Sequence, residues 1–138
     1  MRRITGGCLC GEVRYEFAGE VGLAGYCHCE DCRRTSGSAF GISVRVPGDG
    51  FRFTKGVPRS FTKTGDSGLP ITRWFCGDCG SPLCTMPPLH AVAVFIKAGS
   101  LDDPTIVIAN RQAWVRSRVP WAEIPLDLTA YDTNRTNF

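Results

Sequence analysis

Apolar and polar residues alternate along much of the chain, and a period of two is the signature of a half-buried strand. Val13-Arg14-Tyr15-Glu16-Phe17 shows it first. Phe40 to Val46 repeats it through Phe40, Ile42, Val44 and Val46, and Pro47-Gly48-Asp49-Gly50 then marks a turn. Two shorter strands are expected at Phe51-Arg52-Phe53 and Ser60-Phe61-Thr62, divided by Gly56 and Pro58. Asp66-Ser67-Gly68-Leu69-Pro70 reads as a loop and Ile71 to Phe75 as a strand. The most apolar stretch, Ala91 to Ala98, is expected to form a central strand through Val92, Val94 and Ile96. Leu101-Asp102-Asp103-Pro104 reads as a turn, with further short strands expected at Ile106-Val107-Ile108 and Trp114-Val115.

No window of about 11 residues carries a helical stripe. The best helical candidate is a single turn around Asp31 to Thr35. The fold class is therefore all-β or β-rich, built of small twisted antiparallel sheets. At 138 residues, with no repeat and no visible boundary, the chain reads as one domain over residues 1–138. The polar tail after Tyr131 is expected to fray.

Composition narrows the class. The chain is 43% hydrophobic and 21% charged, as expected of a soluble globular protein. No apolar run approaches the roughly 18 residues that a membrane span needs. Met1-Arg2-Arg3-Ile4-Thr5-Gly6-Gly7 has no apolar stretch behind its arginines, so it is a poor signal peptide, and a cytoplasmic location is expected. In a reducing compartment, clustered cysteines are more naturally metal ligands than disulfides.

Short strands alone enclose a thin core, and the cysteines supply the stitching. Seven of eight fall into tight clusters: Cys8-Leu9-Cys10, Cys27-His28-Cys29 with Cys32, and Cys76-Gly77-Asp78-Cys79. Four thiolates close a tetrahedral zinc site, whereas three leave a position for water or substrate. Seven divide into one set of each kind, which implies two Zn²⁺ per chain. Cys76-Gly77-Asp78-Cys79-Gly80 resembles a zinc knuckle, in which Gly80 can take a positive φ. Its simplest partner is the pair Cys8 and Cys10, which in an extended strand would present two sulfurs on one face.

Cys27, Cys29 and Cys32 can converge on a second ion. His28, between two of them, should face away with its ring hydrogen-bonded. His90 has no partner in sequence. Cys84 reads as a small buried hydrophobe, with the alternative that it closes the second site. A thiol substrate suits zinc already held by sulfur. Arg33 and Arg34 are candidates to pair with substrate carboxylates, Ser36 to hydrogen-bond the substrate, and Phe40, Trp74 and Trp114 to wall a pocket. The formal charge of +3 does not argue for nucleic acid. Seven thiolates and two zinc ions shift it by about −7 and +4, to near neutrality. No basic stripe with interleaved aromatics is present either.

Several segments together resemble one family. They are Gly6-Gly7-Cys8-Leu9-Cys10-Gly11 with Val13-Arg14-Tyr15, Cys27-His28-Cys29-Glu30-Asp31-Cys32-Arg33-Arg34, Ser36-Gly37-Ser38-Ala39-Phe40, and Phe75-Cys76-Gly77-Asp78-Cys79-Gly80-Ser81-Pro82-Leu83. Gly99-Ser100-Leu101-Asp102-Asp103-Pro104 and Arg118-Val119-Pro120-Trp121 extend the likeness. The chain resembles the glutathione-dependent formaldehyde-activating family, also called S-(hydroxymethyl)glutathione synthase-like or centromere-protein-V-like. The resemblance implies a fold shared with methionine sulfoxide reductase B and a Rab-binding zinc chaperone. It implies Cys8, Cys10, Cys76 and Cys79 as structural zinc ligands and Cys27, Cys29 and Cys32 as catalytic zinc ligands. It also implies a carbon–sulfur lyase reaction joining formaldehyde and glutathione. Gln112 stands where relatives often carry a histidine. The alternative reading is a non-catalytic, zinc-held module for binding a protein partner.

Overall fold

The computed structural model of the protein describes residues 3–66, 68–86, 93–125 and 127–133. In chain order its elements are β1 (Arg3–Gly7), β2 (Arg14–Ala18), β3 (Ala24–Cys27), α1 (Glu30–Ser36), β4 (Gly41–Pro47), β5 (Phe51–Lys55) and β6 (Arg59–Thr64). They continue with β7 (Pro70–Phe75), β8 (Pro82–Met86), β9 (Ala93–Lys97), β10 (Ala109–Ala113) and β11 (Thr129–Ala130). One sheet has the order β1-β2-β5, the other β11-β10-β3-β4-β9-β8-β7-β6. The chain is all-β apart from α1 and short 3₁₀ turns. Most pairings are antiparallel, but β10 runs parallel to both β3 and β11. No helix among the described residues is long and apolar enough to cross a membrane.

The alternation in the sequence lands on the core. Tyr15 and Phe17 of β2, Val44 and Val46 of β4, and Val94 and Ile96 of β9 are all buried. They share one cluster with Leu83 and Cys84 of β8. Burying each large apolar side chain contributes about 1.5–3 kcal/mol. Phe51 stands against Tyr15 and Phe53 against Trp74, with centroids at 5.3 and 6.2 Å, which extends the cluster toward β7. Trp74 therefore packs in the core.

Several expected elements differ. β1 and β3 have no alternation to read, because Gly6, Gly7 and Gly25 occupy positions where side chains would signal it. The strand expected at 106–108 begins as a 3₁₀ turn, Pro104–Ile106. Pro104 pre-sets that turn, and Asp103 caps it by accepting from the Thr105 N–H at 3.1 Å. The strand expected at Trp114-Val115 is interrupted instead. Trp114 sits in the left-handed region at φ 58, where its N–H donates to the Thr133 carbonyl at 2.9 Å. Tyr131 donates to the Gln112 carbonyl at 2.9 Å, so the chain is tied down as far as Thr133. Residues 134–138 of the tail, and His90, Ala91 and Val92, lie outside the described residues.

The sheets meet where β1 approaches the segment after β9. Tyr15 Oη and Ser100 Oγ are 2.7 Å apart, and a Cβ on Gly6 would lie 2.2 Å from Tyr15 Oη and 2.5 Å from the Ser100 carbonyl. Replacing Gly6 by alanine must push these groups apart, and overpacking of this kind costs about 1–3 kcal/mol. Chemical denaturation of Gly6→Ala at fixed metal loading checks this: an unchanged midpoint would contradict the close approach.

Candidate functional site

Cys8, Cys10, Cys76 and Cys79 bring their four sulfurs within 4.8 Å of one another. The Cys8–Cys10 sulfurs are 3.6 Å apart and the Cys10–Cys76 sulfurs 3.7 Å. A metal held tetrahedrally at about 2.3 Å by four sulfurs requires sulfur separations near ~3.8 Å, so these residues fit a zinc-sized ion. Cys8 and Cys10 do not lie in an extended strand, as their spacing suggested. They occupy a turn closed by Gly11 N–H to the Cys8 carbonyl at 3.3 Å, and Gly11 takes φ 82. Cys76 to Gly80 forms a similar turn, with Gly80 N–H to the Cys76 carbonyl at 2.8 Å and Gly80 at φ 79. Two knuckles, rather than a strand and a knuckle, therefore face each other. The Val13 N–H donates to Cys8 Sγ at 3.3 Å, and the Ser81 hydroxyl lies 3.3 Å from Cys79 Sγ. The Ser81 hydroxyl and neighbouring backbone pull the Cys79 thiol down to about 5, a thiolate at neutral pH.

Cys27, Cys29 and Cys32 form a second group of sulfurs, again within 4.8 Å of one another. Cys27 ends β3, Cys29 caps α1, and Cys32 lies in its first turn, where its N–H donates to Cys29 Sγ at 3.3 Å. Gly37, at φ 69, ends the helix with an N–H to the Arg33 carbonyl. Hydrogen bonds from Cys27 and Cys29 pull Cys32 down to about 2, and Lys97 and Arg73 act in the same direction. Cys84 does not join the group. It is fully buried in β8, where burial pushes its thiol up to about 12.

The turn that carries these sulfurs is fastened to β10. The His28 N–H donates to the Ala113 carbonyl at 3.1 Å, and His28 Nε2 lies 3.0 Å from Gln112 Oε1. With a carbonyl oxygen as partner, Nε2 carries the proton. Both side chains are buried, and burial lowers the histidine's pKa, which favours the neutral ring. Phe40 stands edge-on to His28 and to Tyr26, with centroids at 5.7 and 4.8 Å. The sulfur-bearing turn thus rests on a strand more than 80 residues further along the chain. Gln112 was legible only as a departure from its relatives, not as His28's partner.

A cavity of about 750 Å³ opens between the two sulfur groups. Cys32, Ser36 and Phe40 line one part, Cys8 and Ser81 another, and Lys97 a third. Ser36 is also committed to its turn: its hydroxyl donates to the Phe40 carbonyl at 3.0 Å and accepts from the Ser38 N–H at 3.2 Å. Arg33 and Arg34 do not line the cavity; Arg34 Nε instead bonds Glu30 Oε1 at 2.9 Å on the exposed face of α1. Trp114 does not line it either. Lys97 does, and no sequence pattern marked it.

Two groups of sulfurs that could each hold a metal ion, set on an all-β frame, define a cysteine-rich metal-site protein in which, among the described residues, one group has four such ligands and the other three. The chain belongs to the family described as glutathione-dependent formaldehyde-activating enzyme, whose model matches residues 3–117. That span holds all eight cysteines and ends just before Arg118-Val119-Pro120-Trp121. The crystal structure of a Rhodobacter sphaeroides protein is similar in fold, with a TM-score of 0.55 and 21% identity, over 71% of this chain and 87% of that chain. No curated protein matches the sequence.

Removing the acceptor of His28 tests the fastening. Gln112→Ala leaves a buried N–H unpaired, and such a loss costs about 1–3 kcal/mol. Denaturation at fixed metal loading should show this, and a loss below about 0.5 kcal/mol would mean that the pair contributes nothing beyond contact.

Proposed function

We propose that the protein is a zinc-dependent carbon–sulfur lyase acting on a small thiol adduct, with glutathione and formaldehyde as the thiol and aldehyde. In this reading Cys8, Cys10, Cys76 and Cys79 hold a structural zinc, and Cys27, Cys29 and Cys32 hold a catalytic one. The supporting observation is that the three-sulfur group meets a cavity of about 750 Å³ through Cys32 while the remaining cysteine, Cys84, stays apart. That volume lies within the roughly 300–1,000 Å³ typical of ligand sites. Thiolates held on metal suit a reducing compartment, and the cytoplasm is the location we assign.

Zinc at the three-sulfur site supplies a Lewis acid that lowers the pKa of a bound thiol. The chain's own contribution is position. Phe40, held between Tyr26 and His28, gives the cavity an apolar wall. Ser38 lines it too, and Ser36 holds the turn that places Ser38 there. In the forward direction the thiol sulfur forms a bond to the aldehyde carbon, the carbonyl π pair moves to oxygen, and that oxygen takes a proton equivalent to the one the thiol lost. No redox change occurs, and much of the advantage lies in holding sulfur and carbonyl together.

One observation favours the binding-module reading. Every residue of β6, an edge strand, is exposed, including Phe61 at 62%. A thiol titration separates the two readings. Protein loaded with cobalt(II) in place of zinc should change its thiolate-to-metal absorption saturably as glutathione is added. Cys29→Ser should keep its fold by circular dichroism, hold one metal where the native chain holds two, and lose the response. Two metals with no response to thiol would favour the binding module, and a Cys29→Ser chain that unfolds would make the second site structural.

A further inference from the structure

The two sulfur groups differ in what offsets their charge. Around the four-sulfur group the close donors are neutral, the Val13 N–H and the Ser81 hydroxyl. Two cations near that group are engaged elsewhere, Arg14 by Asp102 through two hydrogen bonds and Lys55 by the Gly11 carbonyl at 3.1 Å. Around the three-sulfur group two cations act on Cys32, Lys97 and Arg73. Neither forms an ion pair with a carboxylate among the described residues.

Strand register explains why they gather there. Lys97 of β9 stands opposite Ser43 of β4, and Cys27 of β3 opposite Gly41, two residues along the same strand. Lys97 and Cys27 therefore share a face of the sheet. Arg73 of β7 faces Thr85, Thr85 faces Phe95, and Phe95 is two residues from Lys97, so Arg73 lies on that face too. Lys97 is half-buried, lines the cavity with Cys32, and makes one long hydrogen bond, 3.4 Å to Ser43 Oγ. Arg73 Nε is buried without a partner among the described residues. Holding cations this way is costly unless negative charge faces them.

Three thiolates against one divalent ion leave a single net negative charge; burial lowers the Lys97 pKa while the Cys32 and Cys27 sulfurs oppose that, and a charged Lys97 together with Arg73 exceeds it by one. The surroundings match a centre that has gained one more negative charge. We propose that Lys97, supported by Arg73, makes the open position selective for an anionic ligand, so that the substrate thiol is taken as its thiolate in preference to neutral ligands of the same site. This deepens the lyase reading and rests on it. Lys97 is the specificity-determining residue because it, and not Arg73, lines the cavity.

The test uses the cobalt(II)-loaded full chain and two probes: 2-mercaptoethanol, which binds as a thiolate and carries no other charge, and imidazole, which binds neutral. Lys97→Met should weaken 2-mercaptoethanol binding about tenfold, the scale of one lost charge interaction at a partly buried site. It should leave imidazole binding unchanged, and Lys97→Arg should retain the native preference. Equal thiol affinity in Lys97→Met overturns the proposal, as does a parallel loss of both ligands. Lys97→Gln serves as a second neutral variant. Loss of the second metal from both neutral variants would make Lys97 a structural residue and likewise overturn the proposal. Native protein that answers imidazole but no thiol would overturn the lyase reading itself. Native protein that binds the thiol no better than Lys97→Met would sink this inference alone.

Discussion

The convergence of Cys8, Cys10, Cys76 and Cys79 is the constraint on which the rest of the structure depends. It joins a turn near the N-terminus to one in the middle of the chain, across 66 residues between Cys10 and Cys76. Each turn is short and exposed at its tip, where Leu9 is 89% exposed, and buried at its base through Cys8 and Cys76. The four sulfurs converge where Cys8 and Cys76 also pack in the core beside Val13 and Leu83. Where a metal occupies such a group, its binding free energy becomes folding free energy, because the unfolded chain has no preformed site. That term suits a chain whose strands are mostly five or six residues long and whose sheets meet over a modest core.

From that junction the position of the second group follows. The knuckles hold β1 and β2 against the segment after β9, where Thr5 and Arg14 bond Asp102 and Tyr15 reaches Ser100. The cavity lies between this junction and the C-terminal part of α1. Behind it, β10 runs parallel to β3 and fastens the Cys27-His28-Cys29 turn through Gln112 and Ala113. Three distant stretches of chain thus agree on the place where the three-sulfur group meets open space through Cys32. The four-sulfur group ties the frame together, and the frame presents the three-sulfur group.

Much of this was legible along the chain because sulfur spacing and strand alternation are local signals. Tyr15, Phe17, Val44 and Val46 declared their faces by period two, and the helical turn at Asp31 to Thr35 lies inside α1. What the chain concealed was non-local or carried by residues without a pattern. The glycines of β1 and β3 leave no alternation, although Gly6 and Gly25 are where Tyr15 and Arg111 must come close. The parallel course of β10 depends on a partner more than 80 residues away, so neither its strand nor the His28–Gln112 pair could be read locally. Lys97 ends an apolar strand and looks like an ordinary surface cation until β4 and β9 are paired. Arg33 and Arg34 stood out for the opposite reason: they follow Cys32 directly in sequence, whereas in the fold they lie outside the cavity lining and Arg34 is held by Glu30.

Unequal sharing of sulfur between two ions would show in X-ray absorption at the metal edge combined with metal counting. The account predicts two ions per chain and an average of between three and four sulfurs per ion, with the shortfall made up by a light oxygen or nitrogen ligand. A single ion per chain, or four sulfurs around each of two, would contradict it.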